Sequence, residues 1–328
     1  MIEVRNVIKY YGNVTALDDV SFTVNEGEIV GFLGPNGAGK STMMNIITGY
    51  LSSTSGDVSV CGIDVLEYPD EAKKRIGFLP EQPPLYREMT VLEYLNFVYD
   101  LKKCTLDRKA HIAEILSVTK TADVKDRLIG NLSKGYRQRV GIAEALVGNP
   151  PVMIFDEPTV GLDPKQIIEI RNLIRNLGKN HTVILSTHIL TEVQSVCDRI
   201  LIINEGRLIA DEKTADISRA VGSNRTYSVK VSGPRRDVLR ELRALPGVKG
   251  AEDTGDGDSD GAVFAVEADR GVDVRRPMFN MLASKGWPIM ELTPRGMSLE
   301  EVFVMITDED EKRRASRGVK KTGGDGKR

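Results

Sequence analysis

The nine residues GPNGAGKST (Gly34–Thr42) constrain this chain more than any other stretch. They follow an apolar run, EIVGFLG (28–34), and lead into STMMNIITGY, which has helical spacing. A strand that turns through glycines into a helix leaves several backbone N–H groups aimed at one spot, where the positive end of the helix adds to them. The pattern G-x-x-x-x-G-K-S/T brings an ammonium and a hydroxyl to the same spot. Gly34, Pro35, Asn36, Gly37, Ala38, Gly39 and Thr42 are expected to belong to a loop whose backbone N–H groups curl around a β-phosphate. Lys40 bridges the β- and γ-phosphates in this reading, and the Ser41 hydroxyl ligates Mg2+. Such a loop belongs at the end of a buried strand in an α/β fold.

Two more apolar runs end in chemistry. PVMIFDEP (151–158) ends in two carboxylates, of which Asp156 is expected to hold magnesium and Glu157 to orient and polarise the attacking water. TVILSTH (182–188) ends in His188, at the sheet edge where α/β folds bind ligands, which makes it a candidate γ-phosphate contact. His111 and His181 have no such context and read as surface or packing residues.

Composition excludes several alternatives. A formal net charge of −2 supplies no basic field, so no nucleic-acid partner is expected. Cys61, Cys104 and Cys197 are too scattered for a disulfide framework or a zinc site. The opening MIEVRNVIKYYG lacks the apolar core of a signal peptide, and no run of apolar residues is long enough to span a bilayer. The expectation is a cytoplasmic chain. Residues 1–222 alternate apolar runs and helical patterns; Thr90 and Glu93 make a capping box for VLEYLNFVYDL, with Leu92, Leu95 and Val98 on one face. After the polar bridge AVGSNRT, residues 226–306 read as a small α+β domain of strands (TYSVKVSG, GAVFAVEA, WPIMELT) and helices (RDVLRELRAL, PMFNMLASKG), ending in a helix capped by Ser298 and Glu301. The tail 307–328 is charged and nearly free of apolar residues, a composition that cannot bury a core.

A second anion site stands at LSKGYRQ (132–138), where a serine, glycine and cations crowd a helix start. With this stretch in place, the order of motifs over residues 1–222 resembles the ATP-binding subunits of ABC transporters. The resemblance implies a P-loop NTPase of the ABC ATPase type: a RecA-like core, an antiparallel β part and a helical subdomain, here with the α+β accessory domain behind it. It also implies that Ser133 and Gly135 hold the γ-phosphate of an ATP bound to another subunit, two subunits sandwiching two ATPs head to tail as a homodimer or heterodimer. Tyr11, rather than its neighbour Tyr10, matches the aromatic that stacks on adenine. Asp163, in GLD, matches the loop linking the two sites, and it can also cap a helix because Pro164 follows. Lys134 and Tyr136 depart from the family's glycine and glutamine. In IGFLPEQPPLYREMT the family's switch glutamine falls on Glu81, with Gln82 one residue later, and both stay candidates. LPEQPPLY and LTPRGMSLEEVFVMIT resemble the ATPases of ABC-2-type exporters, which implies export or gliding-associated transport through a separate membrane-spanning permease. The helical region after Glu81 is the expected contact with it, at the cytoplasmic face of the membrane. The competing classes are a soluble ABC-type ATPase acting on ribosomes or DNA, against which stand the single nucleotide domain and the lack of heptads, and an ATP-binding switch without turnover, against which stand Glu157 and His188.

One motif lies outside this scheme. DGDSDGAVFAVE (256–267) fits a calcium loop at Asp256, Asp258, Asp260 and Glu267, with Gly261 at the turn. Glycines break any helix before it and an apolar run follows, so a hairpin turn is the preferred reading.

Overall fold

Continuous apolar strands without polar alternation are suited to burial on both faces of a parallel sheet, and that is how the three motif-bearing runs fold. In the computed structural model, which describes residues 1–214, 226–269 and 272–295, the chain opens with a hairpin, β1 (Ile2–Tyr11) and β2 (Val14–Val24). It then enters a central sheet through β3 (Ile29–Leu33), every residue of which is buried, and helix α1 (Lys40–Ile47). β4 (Ser55–Val60) and β5 (Ile63–Asp64) rejoin the hairpin in an antiparallel sheet ordered β2-β1-β4-β5. Helix α2 (Pro69–Lys74) and β6 (Ile76–Leu79) lead to three helices, α3 (Val91–Leu101), α4 (Arg108–Val118) and α5 (Lys134–Leu146). The chain returns through β7 (Val152–Asp156), α6 (Pro164–Leu177), β8 (Thr182–Thr187), α7 (Leu190–Val196), β9 (Arg199–Asn204) and β10 (Arg207–Lys213).

The central sheet has the order β10-β9-β3-β8-β7-β6, with β3 parallel to both β8 and β9, and β7 parallel to both β8 and β6. One apolar core joins the two sheets: Val4, Val20 and Phe22 from the antiparallel sheet, Met43, Met44 and Ile47 from α1, and Phe32, Ile154 and Ile184 from the central strands. The helical start at Thr90 is as expected. Its hydroxyl accepts from Glu93 N at 3.2 Å, and the Glu93 carboxylate accepts from Thr90 N at 2.8 Å. The buried stripe of α3 differs from the expected one: Val91, Tyr94, Leu95, Val98 and Tyr99 are buried, whereas Leu92 is half-buried. Two tyrosines carry apolar rings inward that a count of aliphatic residues passes over.

The chain divides into two compact units between Thr214 and Ala215. In the second, β11 (Thr226–Val231), α8 (Arg235–Ala244), β12 (Val248–Asp258), β13 (Gly261–Ala268), α9 (Arg275–Ser284) and β14 (Ile289–Arg295) follow a β-α-β-β-α-β order, with an antiparallel sheet ordered β12-β13-β11-β14. Strict alternation along β11 and β13 puts Val229, Val231, Phe264 and Val266 against Val238 and Leu242 of α8 and Met278 and Leu282 of α9. Phe264→Ala removes the largest side chain of that core, and about 3–5 kcal/mol of unfolding free energy should go with it in a denaturant titration. The polar bridge 220–225, the helix expected at Ser298 and Glu301 and the tail 307–328 lie outside the described residues.

The motif at 256–267 is a hairpin. Asp258 pairs with Gly261, leaving Ser259 and Asp260 as its turn. Its carboxylates face cations of this chain: Lys230 Nζ donates to Asp258 Oδ2 at 2.8 Å, and Lys249 Nζ to Glu267 Oε1 at 2.6 Å. The Lys230 hydrogen bond holds the Asp258 carboxyl below the ordinary range.

Candidate functional site

Because β3, β7 and β8 are parallel neighbours, their C-terminal ends open on one edge of the sheet. The loop after β3 carries Gly34–Gly39, the end of β7 carries Asp156 and Glu157, and His188 follows β8. A cavity of about 430 Å3 opens there, with Asn36, Gly37, Gly39, Lys40, Ser41, Thr42, Glu81, Glu157 and His188 in its wall. Ala16 and Val160 also line it, and nothing in their type marks them in the sequence.

The turn into α1 depends on Gly39, the residue before the helix, at φ 107°. A β-carbon there would be strained and would stand 2.7 Å from the Ala16 carbonyl oxygen. Lys40 is 6% exposed, and its ammonium donates to the Gly34 carbonyl at 2.8 Å and the Pro35 carbonyl at 3.2 Å. Gly34, Pro35 and Ala38 do not line the cavity, and the first two hold the Lys40 ammonium through their carbonyls. Lys40 Nζ also stands 3.6 Å from Glu157 Oε1.

Glu157 sits in the left-handed backbone region at φ 49°, which costs a residue with a side chain about 1–2 kcal/mol. Its N–H donates to the Ser186 carbonyl at 2.8 Å, which pins the turn to β8. The bend aims its carboxylate back over the strand ends. His188 Nδ1 lies 2.9 Å from both carboxylate oxygens. A carboxylate oxygen accepts, so Nδ1 donates, and the other ring nitrogen is free for a ligand. Lys40, Glu157 and His188, from three separate stretches of sequence, thus form one connected line.

Asp156 is 4% exposed and does not line the cavity, yet its Oδ1 has no hydrogen-bond partner. Leaving a buried acceptor unpaired costs about 1–3 kcal/mol. An orphaned carboxylate oxygen behind a phosphate loop suits a divalent cation that arrives with the phosphates, because magnesium characteristically takes one or two carboxylates and fills its shell with phosphate and water. Among the described residues no group of three or more His, Cys, Asp or Glu converges on a metal site of the protein's own.

Other expected residues lie elsewhere. Tyr11 is 49% exposed at the end of β1, with Lys9 Nζ 5.3 Å above its ring, and neither it nor Tyr10 reaches the cavity wall. Glu81 reaches the wall and Gln82 does not. Ser133 caps α5, accepting from Tyr136 N at 3.4 Å, and with Gly135 it lines a separate cavity of about 210 Å3. Asp163 caps α6, accepting from Gln166 N at 2.9 Å, with Pro164 in the first turn. The ammonium of Lys134 lies over Gly161, where a β-carbon would collide with it, and the Tyr136 hydroxyl donates to Asp123 at 2.7 Å. His111 and His181 are buried packing residues. His111 Nε2 accepts from Gly148 N at 3.0 Å and His181 Nδ1 meets the Pro150 carbonyl at 2.8 Å. Burial draws the His111 imidazole below its usual range.

Comparison with known proteins decides the family. The profile described as ABC transporter matches residues 17–160. An uncharacterized ABC transporter ATP-binding protein of Bacillus subtilis, YhcH, is 37% identical over 257 residues, which cover 77% of this chain and 83% of the relative. This chain belongs to the ABC transporter ATP-binding proteins. It is an ATPase subunit that powers transport. Subunits of this family work with membrane permeases and dimerise. The likeness extends into the accessory unit: Nod factor export ATP-binding protein I of Burkholderia orbicola is 33% identical over 310 residues, 93% of this ATPase and 96% of the relative. Among solved structures, the dimeric bacterial ABC transporter cassette MJ0796 is 32% identical with a TM-score of 0.60, over 65% of this chain and 99% of that one. No helix among the described residues is long and apolar enough to cross a membrane.

Proposed function

We propose that this ATPase drives export through a separate membrane-spanning partner, working as one of two ATP-binding subunits at the cytoplasmic face of the membrane. The observation that carries the catalytic part is the line Lys40–Glu157–His188 along the cavity wall. Lys40 exchanges its carbonyl partners for β- and γ-phosphate oxygens when ATP enters. Glu157 orients a water, whose oxygen attacks the γ-phosphorus, and takes its proton. The bond from that phosphorus to the β–γ bridging oxygen breaks, and ADP leaves with the electron pair. His188, held at Nδ1, presents its free ring nitrogen to the γ-phosphate. Asp156 and Ser41 would hold a magnesium ion, which neutralises phosphate charge when bound. Glu81 senses the nucleotide from the segment that leads into α3, and Tyr11 stacks on adenine.

Ser133 and Gly135 complete the site of a second subunit, since they line a cavity apart from the Lys40 cavity of their own chain. The lean to export follows relatives whose names describe export or resistance, among them the Nod factor export and linearmycin resistance ATP-binding proteins. Tagged Glu157→Gln protein, pulled from detergent-solubilised membranes with ATP, should bring down a multi-span membrane protein in stoichiometric amount, identified by mass spectrometry. Recovery of ribosomal or DNA-repair proteins without a membrane subunit would overturn the transport reading of this chain.

A further inference from the structure

A cavity of about 350 Å3 opens at the other edge of the central sheet, where β7 and β8 begin, and it shares no wall residue with the Lys40 cavity. The length of those strands puts it roughly 20 Å from the ends that carry Glu157 and His188. Its floor is apolar: Ile115 of α4 and the last residues of α5 and α6, Leu146 and Leu177, are all buried. His111 and His181 stand in its wall, 8% and 7% exposed.

The backbone fixes one nitrogen of each ring. His111 Nε2 accepts from Gly148 N, so the proton of the neutral ring sits on Nδ1 and can be donated. Burial, which draws His111 below its usual range, favours that neutral ring. The Pro150 carbonyl can only accept, so His181 Nδ1 donates to it, and Nε2 of the neutral ring is left as an acceptor. Neither remaining nitrogen has a hydrogen-bond partner among the described residues. Each ring also has a charged neighbour in the same wall. Glu114 follows His111 on the same face of α4, and Lys179 precedes His181 by two residues. Among the described residues neither charge has an ion-pair or hydrogen-bond partner.

The cavity thus presents two donors, His111 Nδ1 and Lys179, and two acceptors, Glu114 and His181 Nε2, beside apolar surface. A metal ion does not suit it, because the His111 proton occupies the nitrogen that would have to ligate, and no cluster of three metal-binding side chains converges among the described residues. A simple anion or a simple cation would leave one of the two sets unmatched. A molecule carrying an ammonium and a carboxylate on a short apolar body uses both, and the volume lies at the small end of the range for ligand sites. We propose that this cavity binds a small zwitterion with an apolar side chain, a free α-amino acid of the leucine, valine or methionine kind. Glu114 and His181 receive the ammonium, Lys179 and His111 hold the carboxylate, and the side chain lies against Ile115, Leu146 and Leu177.

Isothermal titration calorimetry of the full chain with leucine, valine and methionine tests this. At least one of them should bind saturably in the sub-millimolar range. The amide of the tightest binder, which lacks the carboxylate, and its deamino acid, which lacks the ammonium, should each bind at least about ten-fold more weakly, because each leaves buried polar groups unmatched. Glu114→Lys and Lys179→Glu reverse charges at exposed positions, so the fold should stand, and an unchanged thermal midpoint checks that it does. Each reversal sets like charges together and should also weaken binding at least about ten-fold. Binding unaltered by either reversal would put the ligand elsewhere and overturn the proposal. Equal affinity for the amide or the deamino acid would overturn it too, as would the absence of saturable heat with all three amino acids.

Discussion

Glu157→Gln should slow ATP turnover by about a hundred- to ten-thousand-fold, the range for losing a positioned base, and should leave ATP bound. The amide keeps the volume of the carboxylate, and its oxygen can still accept from His188 Nδ1, now 2.9 Å away. The left-handed turn at φ 49° and its hydrogen bond to Ser186 are backbone features that the change does not touch. What is lost is the capacity to take a proton. Single-turnover hydrolysis and titration with a fluorescent nucleotide separate the two effects. Robust hydrolysis by the variant would remove Glu157 from its role.

Lys40→Ala should show the opposite pattern, with nucleotide affinity falling first. Hydrogen bonds to charged groups contribute about 1.5–3 kcal/mol, so the dissociation constant for ATP should rise about ten- to a hundredfold. The ammonium is already desolvated and held by two carbonyls, so little further ordering is needed when phosphates replace them. The variant also strips Glu157 of its cation at 3.6 Å. Removing one partner of a buried ion pair destabilises a fold, so the thermal midpoint has to be recorded beside the affinity. Unchanged ATP binding by a folded variant would make the phosphate-loop assignment wrong.

The parts legible in the sequence were those set by local rules. Gly39 must be glycine because the turn demands positive φ and the Ala16 carbonyl leaves no room; Thr90 and Glu93 cap α3 because their spacing satisfies two backbone donors within a single turn. The strands ending at Asp156 and His188 announced themselves as apolar runs, since both their faces are covered. The cavity at His111 and His181 was invisible for the opposite reason. Nothing in RKAHIAEILSV or KNHTVILST assigns the two imidazoles to one wall, and all of α5 and α6 lies between them in the chain. That Glu81 lines the Lys40 cavity and Gln82 does not likewise depends on how the chain leaves β6, which pattern alone does not specify.

The strand order has a consequence for synthesis. β3, which ends at Leu33 and delivers the phosphate loop, is flanked by β8, which begins only at Thr182, and β9, which begins only at Arg199. A ribosome-bound chain that has already displayed Gly34–Thr42 therefore still holds Ile29–Leu33 with neither hydrogen-bonding edge filled. Pairings this distant in sequence close slowly and leave apolar edges open to wrong partners meanwhile. The nucleotide grip cannot be assembled by the first half of the polypeptide; it is completed when residues around 200 slot in beside it. A nascent chain stalled before that point would be a client for chaperones, and binding of ATP would report that translation has passed it.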